Sequence, residues 1–421
     1  MHRIKRIIGQ FLKRHAHIRI LVRKVRQRFW ERQYEKMASQ IPVEPDLILF
    51  ESYMGRQYAC SPKAIYQEMI RDPRFSNYQF VWAFIDTKAK QELVELQRAE
   101  LVTYGSTEYY QYCAKAGCII TNSNLAYRVC KKKEQIFVQC WHGTPLKRLR
   151  CDIEAERGNA YNTLEEIHWK NDLDIMRYDF FLSPSTFASE KFSTAFRMKA
   201  LGIDRILLEE GYPRNDVLYQ YNQEELLLIK TRLGLKENRK KIILYAPTFR
   251  DNQHEAGAGY VYQAEMDFDR MQKELGHEYI ILFRAHYFVA NQFDFEKYKG
   301  FVYDVSQIDD INDLYILADL LITDYSSVFF DYANLVRPII FYMYDLDQYK
   351  TEIRGFYLSL DELPGPIVKN EAELIRAIYQ NNIADKETFH KFNERFNYLE
   401  DGQASKRIVD KILEKRKSLK G

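Results

Sequence analysis

The chain has 421 residues, enough for two domains of ordinary size, and its 46% hydrophobic and 29% charged residues exclude an intrinsically disordered protein. The formal net charge of +3 conceals a basic beginning, because residues 1–37 hold twelve Lys or Arg against two Glu. The six cysteines include no C-x-x-C pair, and no apolar run reaches the roughly 18–20 residues of a spanning helix, which argues against a zinc or disulfide scaffold and against a transmembrane segment.

The first predicted element is a basic amphipathic helix within residues 1–40. Apolar residues recur there at three- and four-residue steps, and basic residues fill the opposite face. The apolar stripe consists of Ile4, Ile7, Ile8, Phe11, Leu12, Ile18, Leu21, Val22, Val25 and Phe29. This pattern favours a helix lying on an anionic membrane surface. Packing on the protein's own body is the main alternative; nucleic-acid binding is disfavoured because no later segment resembles a nucleic-acid module.

Two sets of short apolar runs follow and predict two parallel sheets. The first set lies at 46–51, 80–84, 101–104, 118–121, 136–140 and 180–183, and the second at 242–245, 279–283, 301–304, 320–323 and 339–342. Helix-like stretches separate the runs, so we predict an α/β fold of two Rossmann-like lobes. The predicted domains are the basic helix at 1–40, a first lobe at 41–211 and a second lobe at 212–421.

Polar loops follow several of these runs, and in parallel sheets ligands bind at the carboxyl ends of the strands. The first such loop contains Trp141, His142, Gly143, Thr144 and Pro145. A histidine exposed at a cleft is well suited to act as a general base near neutral pH. We therefore predict His142 as the base, with a purely structural histidine as the alternative.

The corresponding loops of the second lobe are rich in anion-binding groups. They contain Pro247, Thr248, Phe249, Arg250 and Asp251, then Arg284 and His286, then Ser326, Ser327 and Asp331. Two guanidiniums and an imidazole suit a pyrophosphate, and a serine-capped helix start adds backbone N–H donors. Surface salt bridges and an ordinary serine cap are the respective alternatives. Walker-type, G-x-G-x-x-G and G-x-S-x-G motifs are absent from the sequence, which leaves ATP hydrolysis, a standard dinucleotide fold and an α/β-hydrolase unsupported.

Taken together, six motifs in order resemble the CDP-glycerol glycerophosphotransferase family, which comprises the teichoic acid polymerases and their relatives. These motifs are FESYMGRQYACSPKAIY at 50–66, VQCWHGTPLKRL at 138–149, GYPRND at 211–216, YAPTFRD at 245–251, FRAHY at 283–287, and the stretch 310–349 containing DYSSVFFDYANLVRP. The resemblance extends from about residue 45 to the end of the chain.

The resemblance implies a GT-B-like pair of lobes with the active site in the cleft between them. His142 and His286 would be the catalytic histidines, with His142 as the base. Arg214, the 247–251 loop, Arg284, Ser326, Ser327 and Asp331 would bind the donor, alongside the 141–145 loop. The enzyme would need neither a cofactor nor a metal.

The implied reaction moves glycerol phosphate from CDP-glycerol to a lipid-linked polyol-phosphate or disaccharide acceptor and releases CMP. It would take place at the cytoplasmic face of the cell membrane, with the protein bound peripherally. The WHGTP form of the loop favours a chain-extending enzyme over a primase. Transfer of ribitol phosphate or another polyol phosphate, for teichoic acid or capsule, is an alternative, as is a catalytically silent membrane-bound assembly protein. The oligomeric state is left open.

Overall fold

The computed structural model describes residues 15–153, 162–248, 254–255, 259–260, 266–285, 295–346, 355–380 and 386–420. Its first element is helix α1, Ala16–Ala38. Two α/β lobes follow, and the predicted fold class is confirmed.

The first lobe contains a parallel sheet of seven strands within the described residues. The strands are β1 Glu44–Glu51, β2 Gln79–Phe84, β3 Ala99–Thr103, β4 Ala116–Thr121, β5 Ile136–Gln139, β6 Phe180–Ser183 and β7 Leu207–Glu209. They lie in the order β3-β2-β1-β4-β5-β6-β7, which is the Rossmann order extended by one strand. The helices of this lobe are α2 Cys60–Arg71, α3 Thr107–Lys115, α4 Leu164–Ile175, α5 Thr186–Ala195 and α6 Met198–Leu201.

The second lobe repeats this arrangement with six parallel strands among the described residues. They are β8 Lys241–Ala246, β11 Tyr279–Phe283, β12 Val302–Asp304, β13 Leu320–Thr323, β14 Ile339–Tyr342 and β15 Ile367–Val368. Their order is β12-β11-β8-β13-β14-β15, and a separate antiparallel pair is formed by β9 His254–Glu255 and β10 Gly259–Tyr260. The helices are α7 Val217–Gln220, α8 Gln223–Arg232, α9 Phe268–Leu275, α10 Ile311–Leu317, α11 Val328–Tyr332, α12 Glu371–Tyr379, α13 Lys386–Phe396 and α14 Ala404–Lys420.

All eleven predicted apolar runs coincide with strands of the two sheets. The central strands are buried along their length, as in β4 and β11, because helices cover both faces of a parallel sheet. Strands β7 and β15 were not predicted; with three and two residues they are too short to stand out as apolar runs.

The last helix, α14, returns to the first lobe although it follows the second lobe in sequence. Its residues Ile408, Val409 and Ile412 are buried in the core beneath the first sheet. The helix begins where the Asp216 carboxylate accepts hydrogen bonds from the backbone N–H groups of Ala404 at 2.9 Å and Ser405 at 2.7 Å. We had predicted one boundary near residue 212 and had assigned residues 212–421 to the second lobe, so the prediction did not place α14 on the first lobe.

Helix α1 packs on the first lobe through one side only. Its residues Ile20, Gln27, Tyr34 and Ala38 are buried, whereas Ile18, Leu21, Val22, Val25 and Phe29 are exposed. The exposed set is the described part of the predicted apolar stripe; its first half, together with the rest of residues 1–14, lies outside the described residues. No helix of the described chain combines the length and the apolar character needed to cross a bilayer.

A buried ion pair joins the connection between the lobes to the second lobe. Arg214 Nε and Nη2 donate to the two carboxylate oxygens of Asp331 at 3.0 and 2.9 Å, and Asn215 Nδ2 donates to the same carboxylate at 3.1 Å. Both charged residues are more than nine-tenths buried. The Asn312 side chain also donates to the Arg214 carbonyl, so the segment is fixed to helix α10 as well as to α11.

We expect Ile408→Ala to lower the free energy of unfolding by about 2–5 kcal/mol, because it leaves a cavity in the first-lobe core. Leu419→Ala on the same helix is the matched control, since Leu419 is exposed. Urea unfolding curves of the two variants provide the measurement. Equal effects would mean that α14 does not contribute to that core.

We expect Asp331→Asn to lower the free energy of unfolding by about 3–5 kcal/mol, because it leaves the Arg214 charge buried without compensation. The control is Asp269→Asn, which breaks the exposed pair between Asp269 and Lys297 and should leave stability nearly unchanged. A loss for Asp331→Asn no larger than that of the control would contradict the structural role of the buried pair.

Candidate active site

A cleft of about 420 Å³ lies between the carboxyl edges of the two sheets. It brings together ten of the residues singled out in the sequence: Trp141, His142, Gly143, Thr144, Pro145, Pro247, Thr248, Arg284, Ser326 and Ser327. The first five come from the loop after β5, and the others come from the loops after β8, β11 and β13. Loops from both lobes therefore face one common space.

His142 is held in a defined orientation by the backbone. Its Nδ1 lies 2.8 Å from the carbonyl oxygen of Asn122, which accepts a hydrogen bond, so Nδ1 carries the proton of the neutral ring. Nε2 is then the nitrogen with a free lone pair. Water can reach His142 from the cleft. The protein nevertheless surrounds the ring, so the charged form is poorly hydrated, and this lowers the pKa of His142 to about 4. The positive charges of Arg214 and Arg150 act in the same direction, so the ring is neutral at physiological pH.

The backbone turns sharply just before His142. Trp141 has a φ of 50°, in the left-handed region that a bulky residue rarely adopts. Two contacts hold it there: its N–H donates to Oε1 of Gln139 at 2.9 Å, and its ring packs edge-on against Phe196 with centroids 4.9 Å apart. The Arg150 guanidinium lies 4.5 Å from the centroid of Phe196 and 5.7 Å from that of Trp141. Trp141 therefore supports the loop from behind.

Arg284 supplies positive charge from the second lobe. Its Nη1 donates to the carbonyl oxygens of Val305 at 3.2 Å and Ile308 at 2.7 Å. These acceptors are neutral, and among the described residues no carboxylate is paired with the guanidinium. Burial lowers the pKa of Arg284, because removing the charged form from water is unfavourable. Among the described residues, the guanidinium is thus positioned on the cleft wall without a directly bonded carboxylate, although the negative charges of Asp309 and Asp310 partly offset the effect of burial on its pKa.

The Asp324 carboxylate holds two of the second-lobe loops together. It accepts hydrogen bonds from the backbone N–H of Thr248 at 2.8 Å and from its neighbour Tyr325 at 2.6 Å. Ser327 occupies the N-cap position of α11 but makes no side-chain capping bond. The two serines were predicted from sequence as a cap, and the structure places Ser326 and Ser327 on the cleft wall instead of using a side chain to cap the helix.

The two lobes approach each other closely at Gly143. A Cβ atom added at this position would lie 2.8 Å from the Ser327 Oγ, so a larger residue would require the Ser327 side chain to move. Two backbone hydrogen bonds support it nearby: Arg148 N–H donates to the Gly355 carbonyl and Tyr357 N–H to the Leu146 carbonyl, both at 2.8 Å. The width of the cleft is thus set by direct contact between the lobes.

Two predicted donor-binding residues that the structure describes are not part of this lining, and four predicted site residues lie outside the described chain. Arg214 and Asp331, predicted to bind the donor, are bonded to each other in the buried pair described above. Phe249, Arg250, Asp251 and His286 lie outside the described residues. Among the described residues, no group of three or more His, Cys, Asp or Glu side chains is placed to hold a metal ion.

Two residues that lie beside His142, Asn122 and Tyr53, were not predicted as site residues. Asn122 provides the carbonyl that orients His142, and its side-chain oxygen accepts a hydrogen bond from the Tyr53 N–H at 2.8 Å. The Tyr53 ring lies 6.0 Å from that of His142, and Tyr53 and Met54 both have positive φ values of 48° and 57°. Both residues follow shortly after strand ends, β4 and β1, so the rule that identified the other loops could have identified them.

Comparison with known proteins gives the same assignment over almost the whole chain. The family model described as CDP-Glycerol:Poly(glycerophosphate) glycerophosphotransferase matches residues 33–414. The teichoic acid poly(glycerol phosphate) polymerase of Bacillus spizizenii is 39% identical over 377 residues, 89% of this chain and 93% of that protein. The teichoic acid glycerol-phosphate transferase of Staphylococcus aureus is 37% identical over 384 residues, 90% of this chain and 95% of that protein.

The fold is also similar to that of a solved polymerase. A structure of a variant of the wall teichoic acid polymerase TagF, soaked with CDPG, superposes with a TM-score of 0.83 at 35% identity and covers 98% of this chain and 99% of that one. The family match extends well beyond half of the chain and includes both lobes and the cleft between them. The chain belongs to the family of CDP-glycerol:poly(glycerophosphate) glycerophosphotransferases.

Proposed function

We propose that the cleft binds CDP-glycerol and that the enzyme transfers glycerol phosphate to the terminal hydroxyl of a lipid-linked teichoic-acid-type acceptor. The observation that carries this proposal is the placement of a neutral, oriented His142 opposite Arg284 across one cleft, where the described residues provide the guanidinium with no directly bonded carboxylate. A diphosphate donor needs the cation, and a hydroxyl acceptor needs the base. The two requirements are met on opposite walls.

In the proposed mechanism, the acceptor oxygen attacks the β-phosphorus of CDP-glycerol while His142 Nε2 takes the hydroxyl proton. The bond between the β-phosphorus and the bridging oxygen breaks, and CMP leaves with the electron pair. Arg284 stabilises the charge that develops on the phosphate oxygens. Arg250 and His286 are proposed as further donor contacts from their motifs, and the reaction needs no cofactor because the donor is already activated.

The test is CMP release by the purified full-length protein with a lipid-linked acceptor and either CDP-glycerol or CDP-ribitol. We expect kcat/KM for CDP-glycerol to exceed that for CDP-ribitol by at least about tenfold, because one well-placed contact in the transition state accounts for a difference of this size. Preference for CDP-ribitol would support the alternative polyol transferase. Release from neither donor would support a silent assembly protein. The length of the product distinguishes chain extension from a single addition.

We expect His142→Ala to lower turnover by about 100-fold or more, the usual contribution of a general base. His277→Ala is the matched control, because His277 is an exposed histidine of the second lobe, away from the cleft. Circular dichroism should report the same fold for both variants. Near-normal turnover of His142→Ala would remove it as the base.

The lowered pKa of His142 predicts the acid limb of the pH–rate profile. Since the pKa is about 4, the neutral ring should persist as the pH falls through 6.5, where an ordinary histidine would become protonated. We therefore expect protonation of His142 to cause no fall in kcat/KM for the donor down to about pH 5. A limb centred near 6.5 that disappears in a variant lacking His142 would contradict the assigned environment.

We further propose that the enzyme works at the cytoplasmic face of the cell membrane and binds it peripherally through α1. The support is the exposed stripe of Ile18, Leu21, Val22, Val25 and Phe29, which points away from the protein's body. Five exposed apolar side chains in one row are unfavourable in water and favourable at a membrane interface.

We expect Val25→Asp to weaken binding to liposomes by about tenfold or more, because it places a charge in the inserted stripe. Val94→Asp is the control: Val25 is 61% exposed and Val94 is 70% exposed, so both substitutions replace a solvent-exposed valine. Cosedimentation with liposomes provides the measurement. Equal binding by the two variants would argue against the stripe as the attachment surface.

A further inference from the structure

A groove of about 240 Å³ lies between α1 and α4 and is separate from the cleft. Arg23, Arg26 and Trp30 of α1 line one side, and Trp169, Lys170 and Leu173 of α4 line the other. It combines three cations with two tryptophans. The proposed transfer reaction makes no use of these residues.

The groove carries more positive than negative charge. Arg23 Nη1 donates to Glu166 Oε1 at 2.7 Å, but Arg19 donates to the other oxygen of the same carboxylate at 2.6 Å. Lys170 Nζ donates to the neutral Oδ1 of Asn162 at 2.8 Å. In the described part of the chain, neither Lys170 nor Arg26 is paired with a carboxylate. Cations gathered in this way favour an anionic ligand.

The lowered pKa of Lys170 is consistent with the lack of a paired carboxylate among the described residues. Burial lowers the pKa of Lys170, and the nearby positive charge of Arg23 lowers it further. The partial compensation that Glu166 provides does not reverse the effect. A bound anion would remove this repulsion and thereby bind more tightly.

The aromatic side chains give the groove an amphipathic character. The Arg26 guanidinium lies 4.9 Å from the centroid of Trp30, and Lys24 Nζ lies 6.0 Å from the centroid of Trp169. Tryptophan concentrates at the level of lipid headgroups, where its ring meets both apolar chains and polar groups. A small soluble anion would not require these rings.

The groove is placed beside the exposed apolar stripe. A second row of side chains runs along α1, and each of its members directly follows a member of the apolar stripe. The second row is Arg19, Arg23, Arg26 and Trp30, and the preceding residues are Ile18, Val22, Val25 and Phe29. One residue corresponds to a rotation of about 100° around a helix, so the two rows run parallel along adjacent flanks of α1. When the stripe is inserted below the membrane surface, the basic row lies at the depth of the phosphates.

We propose that this groove binds the phosphate of an anionic phospholipid headgroup, with Arg23, Arg26 and Lys170 as its ligands. This inference rests on the proposed membrane attachment and adds a specific lipid contact to it. The stripe provides apolar insertion without preference among lipids, whereas the groove would provide selectivity for anionic lipid. Fixing two flanks of α1 would also fix the tilt of the cleft relative to the membrane.

The experiment measures binding of the full chain to vesicles of phosphatidylcholine, with and without phosphatidylglycerol. We expect Arg26→Gln and Lys170→Gln each to weaken binding to the phosphatidylglycerol vesicles by about fivefold, the effect of one cation near an anionic surface. Binding to pure phosphatidylcholine should not change. Lys236→Gln is the matched control, because Lys236 is an exposed lysine of the second lobe without a carboxylate partner among the described residues.

Several outcomes would overturn the inference. Losses no larger than that of Lys236→Gln, or equal losses on both kinds of vesicle, would exclude a headgroup site. Unchanged vesicle binding with a raised KM for the lipid-linked acceptor would assign the groove to the acceptor instead. Thermal unfolding must show that Arg26→Gln and Lys170→Gln are folded. CMP release with a soluble acceptor must be normal in both of these variants. If the groove variants and Val25→Asp all bind vesicles normally, the membrane proposal itself fails. If the groove variants bind normally but Val25→Asp binds weakly, this inference alone fails.

Discussion

The active site depends on how closely the carboxyl edges of two parallel sheets approach each other. Each edge presents only part of the chemistry: His142 lies on the first lobe, and Arg284 with the two serines lies on the second. The approach at Gly143 and Ser327 is so close that an added Cβ atom would displace the serine side chain, and backbone hydrogen bonds between 146–148 and 355–357 support it. Separation of the lobes would take the proposed base away from the proposed donor site, because the two lie on different lobes.

The compensation of charge separates structural arginines from those available to a ligand. Arg214 and Arg284 both come from motifs of the family and were both predicted to bind the donor. Arg214 is paired with Asp331 through Nε and Nη2 in a bidentate geometry, which favours a structural role. Within the described chain, Arg284 donates hydrogen bonds to neutral carbonyls and to no carboxylate, which supports its proposed contact with a donor phosphate. Burial alone would not distinguish the two residues, whereas the identity of their partners does.

The same reasoning connects the cleft to the helix at the beginning of the chain. Helix α1 uses Arg19 and Arg23 to bind Glu166 of the first lobe, and this contact directs its apolar stripe outward. Without this contact, the helix would have no fixed orientation relative to the lobe. Anchored in this way, it presents an apolar row and a basic groove on adjacent flanks, and the lobe that contains His142 is held directly behind them.

The sequence by itself determined the fold class, the eleven main strands and most of the cleft lining, because apolar periodicity and polar residues at strand ends are local properties. It also determined the family, since six motifs occur in order. Only the tertiary structure decided that Arg214 pairs with Asp331, that the Asn122 carbonyl orients His142, and that α14 returns to the first lobe. These contacts join residues that are 20 to 370 positions apart along the chain, as with Asn122 and His142 or Asp46 and Arg416 of α14. No local pattern specifies such pairs, because each depends on the packing of both lobes at once.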